Sequence, residues 1–225
     1  MPGEETLDFS RLRMAMVEVI AGYVRLSADR LGRGHLSERV LDAMRQVPRH
    51  EFVPVEIQAY AYADSPLPIG SGKTISQPFI VALMTDLLNL EPDDKVLEVG
   101  TGLGYQAAVL SLLAGQVYSV EILDELYQQA TRRLHGDSYP IVRCRLGDGG
   151  QGLPDYAPFD KIIVTAAPEL IPPALLQQLK PGGRLVLPAG LADQQQLLLV
   201  ERDEKGKLHT EEIIPVVFSP LVTRH

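Results

Sequence analysis

Apolar residues at the start of the chain recur at helical spacing. Leu12, Met16, Val19, Ile20, Tyr23 and Leu26 fall on one face, which predicts an amphipathic helix over residues 10–30. Gly32 and Gly34 interrupt the pattern. Ser37 is then placed to cap a second helix, in which Val40, Leu41, Met44 and Val47 share a face and which Pro48 ends. From HEFVP to residue 69 the prolines at 54, 66 and 68 break regular structure, so this stretch is expected to be loop. No two-residue alternation occurs in the first 70 positions, which predicts a helical cover outside any sheet. Pro78 suits the first turn of a further helix, with Phe79, Leu83 and Leu87 on one face and Ser76 or Gln77 available as its N-cap.

From Lys95 onward short apolar runs alternate with helical stretches. The runs KVLEV, QVYSVE, IVRCRL, DKIIVTA, RLVLP, QLLLVER and EIIPVVF predict a doubly wound, mostly parallel, seven-stranded Rossmann-like sheet of the α/β class. Helices are expected over residues 106–113, over ELYQQATRRL with Asp124 as cap, and over residues 168–179, closed by the Lys-Pro-Gly-Gly at 180–183. DEKGK at 203–207 is a hairpin turn, so the far end of the sheet should be antiparallel. The chain thus divides into a cover with a substrate-side loop, residues 1–78, and a sheet domain, residues 79–225, in one compact unit.

Composition narrows the function. The net charge of −8 disfavours a nucleic-acid partner, because a phosphate backbone rewards a basic face. No apolar run approaches the roughly 18 residues of a membrane span, and the first residues lack a basic region followed by an apolar core. A cytoplasmic, monomeric protein is expected. The single cysteine, Cys144, sits in a strand-like run and should be a buried, inert thiol. His35, His50, His135, His209 and His225 are scattered without ligand spacing, so no metal site is expected.

The candidate chemistry gathers at VLEVGTGLGYQAAVL, residues 96–110, which reads as strand, tight turn and helix. Gly100, Gly102 and Gly104 let a ligand approach the backbone, and the helix start offers free N–H groups. A dinucleotide fingerprint needs GxGxxG, whereas here the third glycine comes one residue early and Tyr105 takes the place of the last. That spacing favours a neutral or cationic nucleoside over a pyrophosphate. Glu121 ends the next strand, where a carboxylate can accept both ribose hydroxyls. Asp148 and Gly149 follow the third strand and either meet an adenine edge or serve as an ordinary turn. Glu98, in the first strand, either meets a ligand's ammonium group or faces solvent. Thr165 and Ala166 belong to the same sheet edge.

Five segments together resemble the protein-L-isoaspartate O-methyltransferase family: PLPIGSGKTISQP at 66–78, the glycine loop, GDG at 147–149, LKPGGRLVLPAG at 179–190 and the ending VVFSPLV. They span residues 37–222, and TISQP is far more specific than the glycines. Where relatives often carry glycine, histidine or tyrosine, and glycine before that block, this chain has Gly70, Ser71 and Gly72, followed by Lys73 in place of the usual glutamine. The resemblance implies S-adenosylmethionine held by Glu98, Gly100, Thr101, Gly102 and Gly104, with Glu121 at the ribose and Asp148 and Gly149 near the adenine. It implies as acceptor the free α-carboxylate of an L-isoaspartyl residue in a damaged protein or peptide. Ser76 would orient that carboxylate with the backbone of Thr74 and Ile75, while residues 217–222, Val217 first, lie along a peptide bound in extended form. Methylation would then initiate repair through a succinimide.

Two other readings compete. A methyltransferase acting on a small molecule or an RNA base would need its own base or aromatic platform in the acceptor pocket. A non-catalytic binding module on the same fold would bind the cofactor without turnover. A nicotinamide oxidoreductase comes last, on the glycine spacing.

Overall fold

The computed structural model describes residues 7–223, so His225 and the first six residues lie outside it. The cover begins with α1 (Phe9–Leu26), whose inner face buries Met16, Val17, Ile20 and Val24. The expected helix to residue 30 breaks at Ser27 into a separate turn, α2 (Ala28–Leu31), which Gly32 ends in the left-handed region. The next helix, α3 (Glu38–Gln46), stops before Pro48 as expected, although Ser37 holds the N-cap position without a side-chain bond.

The stretch expected to be loop carries more structure than its prolines suggested. Two short 3-10 turns, Arg49–Phe52 and Val55–Tyr60, lead into an antiparallel hairpin of β1 (Leu67–Gly70) and β2 (Lys73–Ile75). The hairpin stands apart from the main sheet, so Pro68 can occupy a strand that no third strand needs to pair. Its turn uses positive φ at Gly70, Ser71 and Gly72. α4 (Pro78–Leu87) follows, with Pro78 in its first turn.

The main sheet runs β3 (Lys95–Val99), β4 (Gln116–Glu121), β5 (Val142–Leu146), β6 (Phe159–Val164), β7 (Leu179–Ala189), β8 (Gln195–Arg202) and β9 (Leu208–Val216), in the order β5-β4-β3-β6-β7-β8-β9. Pairs from β5 to β7 are parallel and the last two are antiparallel. The order reverses between β3 and β6, which opens a crevice at their carboxyl ends, where doubly wound sheets bind ligands. α5 (Tyr105–Ser111), α6 (Asp124–Arg133) and α7 (Pro173–Gln178) are the connecting helices.

Alternation along the strands feeds two cores. Val96, Val117, Ile163 and Val186 pack with the cover and α5, while Leu97, Val120, Ile162 and Leu185 pack toward α7 on the opposite face. Three local expectations are corrected. Asp124 lies inside the first turn of α6, and Leu123 takes the cap position. The helix expected over 168–179 shortens to α7, and residues 179–183 join β7. The last strand ends at Val216, so Val217 and Phe218 leave it.

Candidate active site

A cleft of about 980 Å³ opens at the reversal point. One wall is the end of the parallel sheet, with Gly100, Gly102, Glu121, Gly149, Thr165 and Ala166. The other carries Thr74, Ser76 and Gln77 from the hairpin and α4, and Val217 with Val222 from the C-terminal segment. Residues 74–77 and 217–222, more than a hundred positions apart, therefore face the end of the sheet across one space.

The sheet-side wall is built from backbone. Gly100 has φ +95°, and a Cβ there would sit 2.5 Å from Thr165 Oγ1. That hydroxyl instead donates to the carbonyls of Gly100 and Val99, at 2.6 and 3.1 Å, which ties the loop to the end of β6. Gly149 is equally confined, since a Cβ would meet Val99 Cγ1 at 2.3 Å. Glu121 is only 6% exposed. Its Oε2 accepts from Gly102 N at 2.8 Å and its Oε1 from the N–H groups of Ile122 and Leu123 at 3.0 Å, so the carboxylate is fixed at the cleft edge. Asp148 Oδ1 accepts from Gly150 N and shapes the turn that presents Gly149.

Glu98 is corrected on one point. It neither faces solvent nor lines the cleft, because strand alternation turns it inward with Ser119, its partner on β4. Ser119 Oγ donates to Glu98 Oε2 and shares a hydrogen bond with Thr101 Oγ1, while Glu98 Oε1 has no partner among the described residues. Full burial pushes the Glu98 carboxyl up to about 8. Thr101 thus belongs to this buried chain, beneath the loop. Gly104 ends the loop in the left-handed region and starts α5. The bare backbone of Gly100 and Gly102 along the cleft, with the Glu121 carboxylate fixed at its edge, suits close approach of a nucleoside whose ribose hydroxyls that carboxylate can accept. The site therefore fits S-adenosylmethionine.

The opposite wall is held by side chains from a distance. Gln77 occupies the N-cap position of α4 without capping it. Asp64 does so instead, accepting from Phe79 N at 2.8 Å and from Gln77 Nε2 at 2.9 Å. Neither Ser76 nor Gln77 is spent on capping. Ile75 is buried behind the wall, with Thr74 and Ser76 on the cleft side. In the C-terminal segment, Gln195 grips Phe218 twice: Oε1 accepts from Phe218 N at 2.6 Å and Nε2 donates to its carbonyl at 3.2 Å. Ala167 then pairs with Ser219 and Leu221 through its backbone, so the segment crosses from β9 back to β6. Val217, 89% exposed, stands free at the rim.

Asp64 and Gln195 escaped the sequence reading because each acts on residues far along the chain. Cys144 is half-buried, on β5 beside Ser119, and burial pushes its thiol up to about 11, consistent with an inert group.

A mostly parallel seven-stranded sheet with a glycine loop and a fixed acid at its reversal point defines a Rossmann-like methyltransferase of the S-adenosylmethionine-dependent class. The family described as protein-L-isoaspartate(D-aspartate) O-methyltransferase matches residues 26–225. Protein-L-isoaspartate O-methyltransferase 1 of Polaromonas sp. is 56% identical over 214 residues, covering 95% of this chain and 91% of that one. Protein-L-isoaspartate O-methyltransferase 2 of Syntrophobacter fumaroxidans is 51% identical over 218 residues, covering 96% and 88%. A solved protein-L-isoaspartate O-methyltransferase superposes with a TM-score of 0.79 at 29% identity, over 92% of this chain and 65% of that chain. The Plasmodium falciparum structure described as such an enzyme in complex with S-adenosyl-L-homocysteine shares the fold, with a TM-score of 0.77 at 20% identity over 94% and 99%. The chain belongs to the protein-L-isoaspartate O-methyltransferase family, and its activity is methyl transfer to isoaspartyl residues of proteins.

Proposed function

We propose that the cleft binds S-adenosylmethionine on its sheet side and an extended isoaspartyl peptide on its hairpin side, so that the free α-carboxylate is esterified between them. The observation that carries this reading is that Gly100 and Glu121 share one cleft with Thr74, Ser76 and Val217. In it, Gly100 and Gly102 present bare backbone to the cofactor, Glu121 takes the ribose, Gly149 with Asp148 borders the adenine, and Glu98, Thr101 and Gly104 support the loop from behind without touching the ligand. The cofactor supplies a methyl group already activated on a positively charged sulfur.

The residues then have little proton chemistry to perform. A carboxylate is ionised at neutral pH, so no general base is needed and catalysis reduces to alignment and exclusion of water. Ser76 donates a hydrogen bond to the acceptor carboxylate, with the backbone of Thr74 and Ile75 beside it. The segment 217–222 presents the exposed Val217 along the cleft rim to the peptide, which binds as an extended chain. The amide nitrogen of the following residue then attacks the ester carbonyl carbon and loses its proton as methanol leaves, a far easier departure than that of oxide from the free carboxylate. The succinimide so formed begins repair.

On this reading residues 1–78 form the acceptor-side cover and 79–225 the methyl-transfer unit. We further propose a cytoplasmic monomer acting without nucleic acid or membrane. The acidic charge supports this, and no described helix is long and apolar enough to cross a membrane. The test offers methyl-labelled cofactor to two peptides that differ only in one L-isoaspartyl or L-aspartyl residue. Base-labile label on the isoaspartyl peptide alone is expected; label on neither, with cofactor bound, would favour another acceptor or a non-catalytic binder.

A further inference from the structure

Arg49 contributes no atom to the cleft, yet it is the largest side chain in the molecule to be completely enclosed, with 0% exposure. Its Nε donates to the Ala61 carbonyl and its Nη2 to the Ser76 carbonyl, each at 2.8 Å. The guanidinium carbon lies 4.9 Å from the centre of the Tyr105 ring, and Nη1 has no hydrogen-bond partner among the described residues. Burial lowers its pKa to about 10, opposed by the fields of Tyr105, Asp64 and Tyr62, so it stays a cation at neutral pH. No carboxylate among the described residues forms a salt bridge with it.

A buried cation without an ion pair is a costly way to fill space, and an aliphatic side chain of the same volume would pack there at less expense. What the guanidinium does that an aliphatic chain cannot is join three segments in a fixed plane. One arm holds the carbonyl of Ser76, the second holds the cover at Ala61, and its face rests on Tyr105, the first residue after the glycine loop. Asp64 fixes the next two links of the same segment, Gln77 and Phe79.

We propose that Arg49 is a positioning residue for methyl transfer: by holding the Ser76 carbonyl against the start of α5, it sets the Ser76 hydroxyl relative to the cofactor loop. This rests on Ser76 as the group that meets the acceptor carboxylate. Because Arg49 acts through Ser76, its removal should cost turnover only while the Ser76 hydroxyl is present.

The experiment measures kcat and KM for an isoaspartyl peptide, and Kd for S-adenosyl-L-homocysteine, in the full chain and in Arg49→Lys, Ser76→Ala and the double variant. Lysine keeps the charge but lacks the fork that reaches both carbonyls. Arg49→Lys is expected to lower kcat roughly tenfold, leave the homocysteine Kd within about twofold, and add nothing beyond about twofold in the Ser76→Ala background. Arg49→Met, equal in bulk and without donors, carries the same test if the lysine variant does not fold. An unchanged kcat, a full loss added on top of Ser76→Ala, or a kcat loss matched by lost cofactor binding would overturn the proposal. If the unaltered protein leaves the isoaspartyl peptide unmethylated, or Ser76→Ala turns over normally, the reading of the cleft fails first. If both behave as expected and Arg49→Lys keeps its kcat, only this inference falls.

Discussion

The two walls of the cleft are made in different ways. The sheet-side wall consists of backbone: a strand end, glycines with positive φ, and an acid whose oxygens bind N–H groups within two residues of it and across the loop. The acceptor-side wall consists of two irregular segments, 74–77 and 217–222, fastened by Arg49, Asp64 and Gln195 across 13 to 27 positions of sequence. The first kind of wall resists change in shape, because any added side chain meets packed atoms. The second can be adjusted one side chain at a time.

That contrast is open to attack from both sides. On the sheet side, Gly100→Ala deletes no interaction, yet it adds a Cβ in a disfavoured backbone region against Thr165. Strain and overlap together are expected to cost about 4 kcal/mol, roughly a thousandfold in cofactor affinity as the loop relaxes away, measured by calorimetric titration with S-adenosyl-L-homocysteine. Tight binding in that variant would break the comparison. On the acceptor side, Ser76→Ala should lower kcat by a factor on the order of 10 to 1,000, with homocysteine affinity unchanged, because only one orienting hydrogen bond is lost. Gln195→Ala frees Phe218 and should raise KM for the peptide about tenfold, with kcat changed less, in steady-state kinetics. A fall in cofactor affinity as large as the rise in KM would show that the two walls are not separable.

The mildest effect is expected beneath the glycine loop, where a fully enclosed carboxyl supports the sheet side. The folded-state pKa of Glu98, about 8, lies above its ordinary value of 4.5. The stability that this group contributes is fully present below pH about 4.5 and is lost as the pH rises through about 8. Glu98→Gln cannot titrate, so its melting temperature should vary less between those limits and exceed that of the unaltered protein by a few degrees at pH 8. Parallel melting profiles across that range would mean that the carboxyl does not titrate in the folded protein.

Legibility in the sequence follows the same division. All seven strands of the main sheet, its antiparallel end and its reversal-point residues follow from periodicity and glycine spacing, since both are local signals. The sequence pattern missed the β1–β2 hairpin because Pro66 and Pro68 argue against strand, and only separation from the main sheet makes them tolerable there. It overextended α7 because Ala167 pairs with the C-terminal segment and the Pro168 carbonyl accepts from Gly190 N, so the chain is held extended there and the helix starts only at Pro173. The direction of Glu98 was recoverable from alternation with Val96; its environment was not, since Ser119 is 21 positions away. Arg49, Asp64 and Gln195 carry no motif, and each is intelligible only once distant segments are brought together.

The packing of the cover has a consequence for how the chain comes to be folded. Met16, Val17 and Ile20 of α1 share one continuous core with Ile214 of β9, and α2 lies against that last strand. α1 and α2 leave a ribosome well before β9 and therefore wait for that strand before their apolar face is fully covered. Contacts of such long sequence separation slow folding and leave early segments exposed in the interval. Synthesis of this protein should accordingly deliver a cooperative unit only once the β9 segment has emerged, with α1 and α2 as the segment most in need of protection until then.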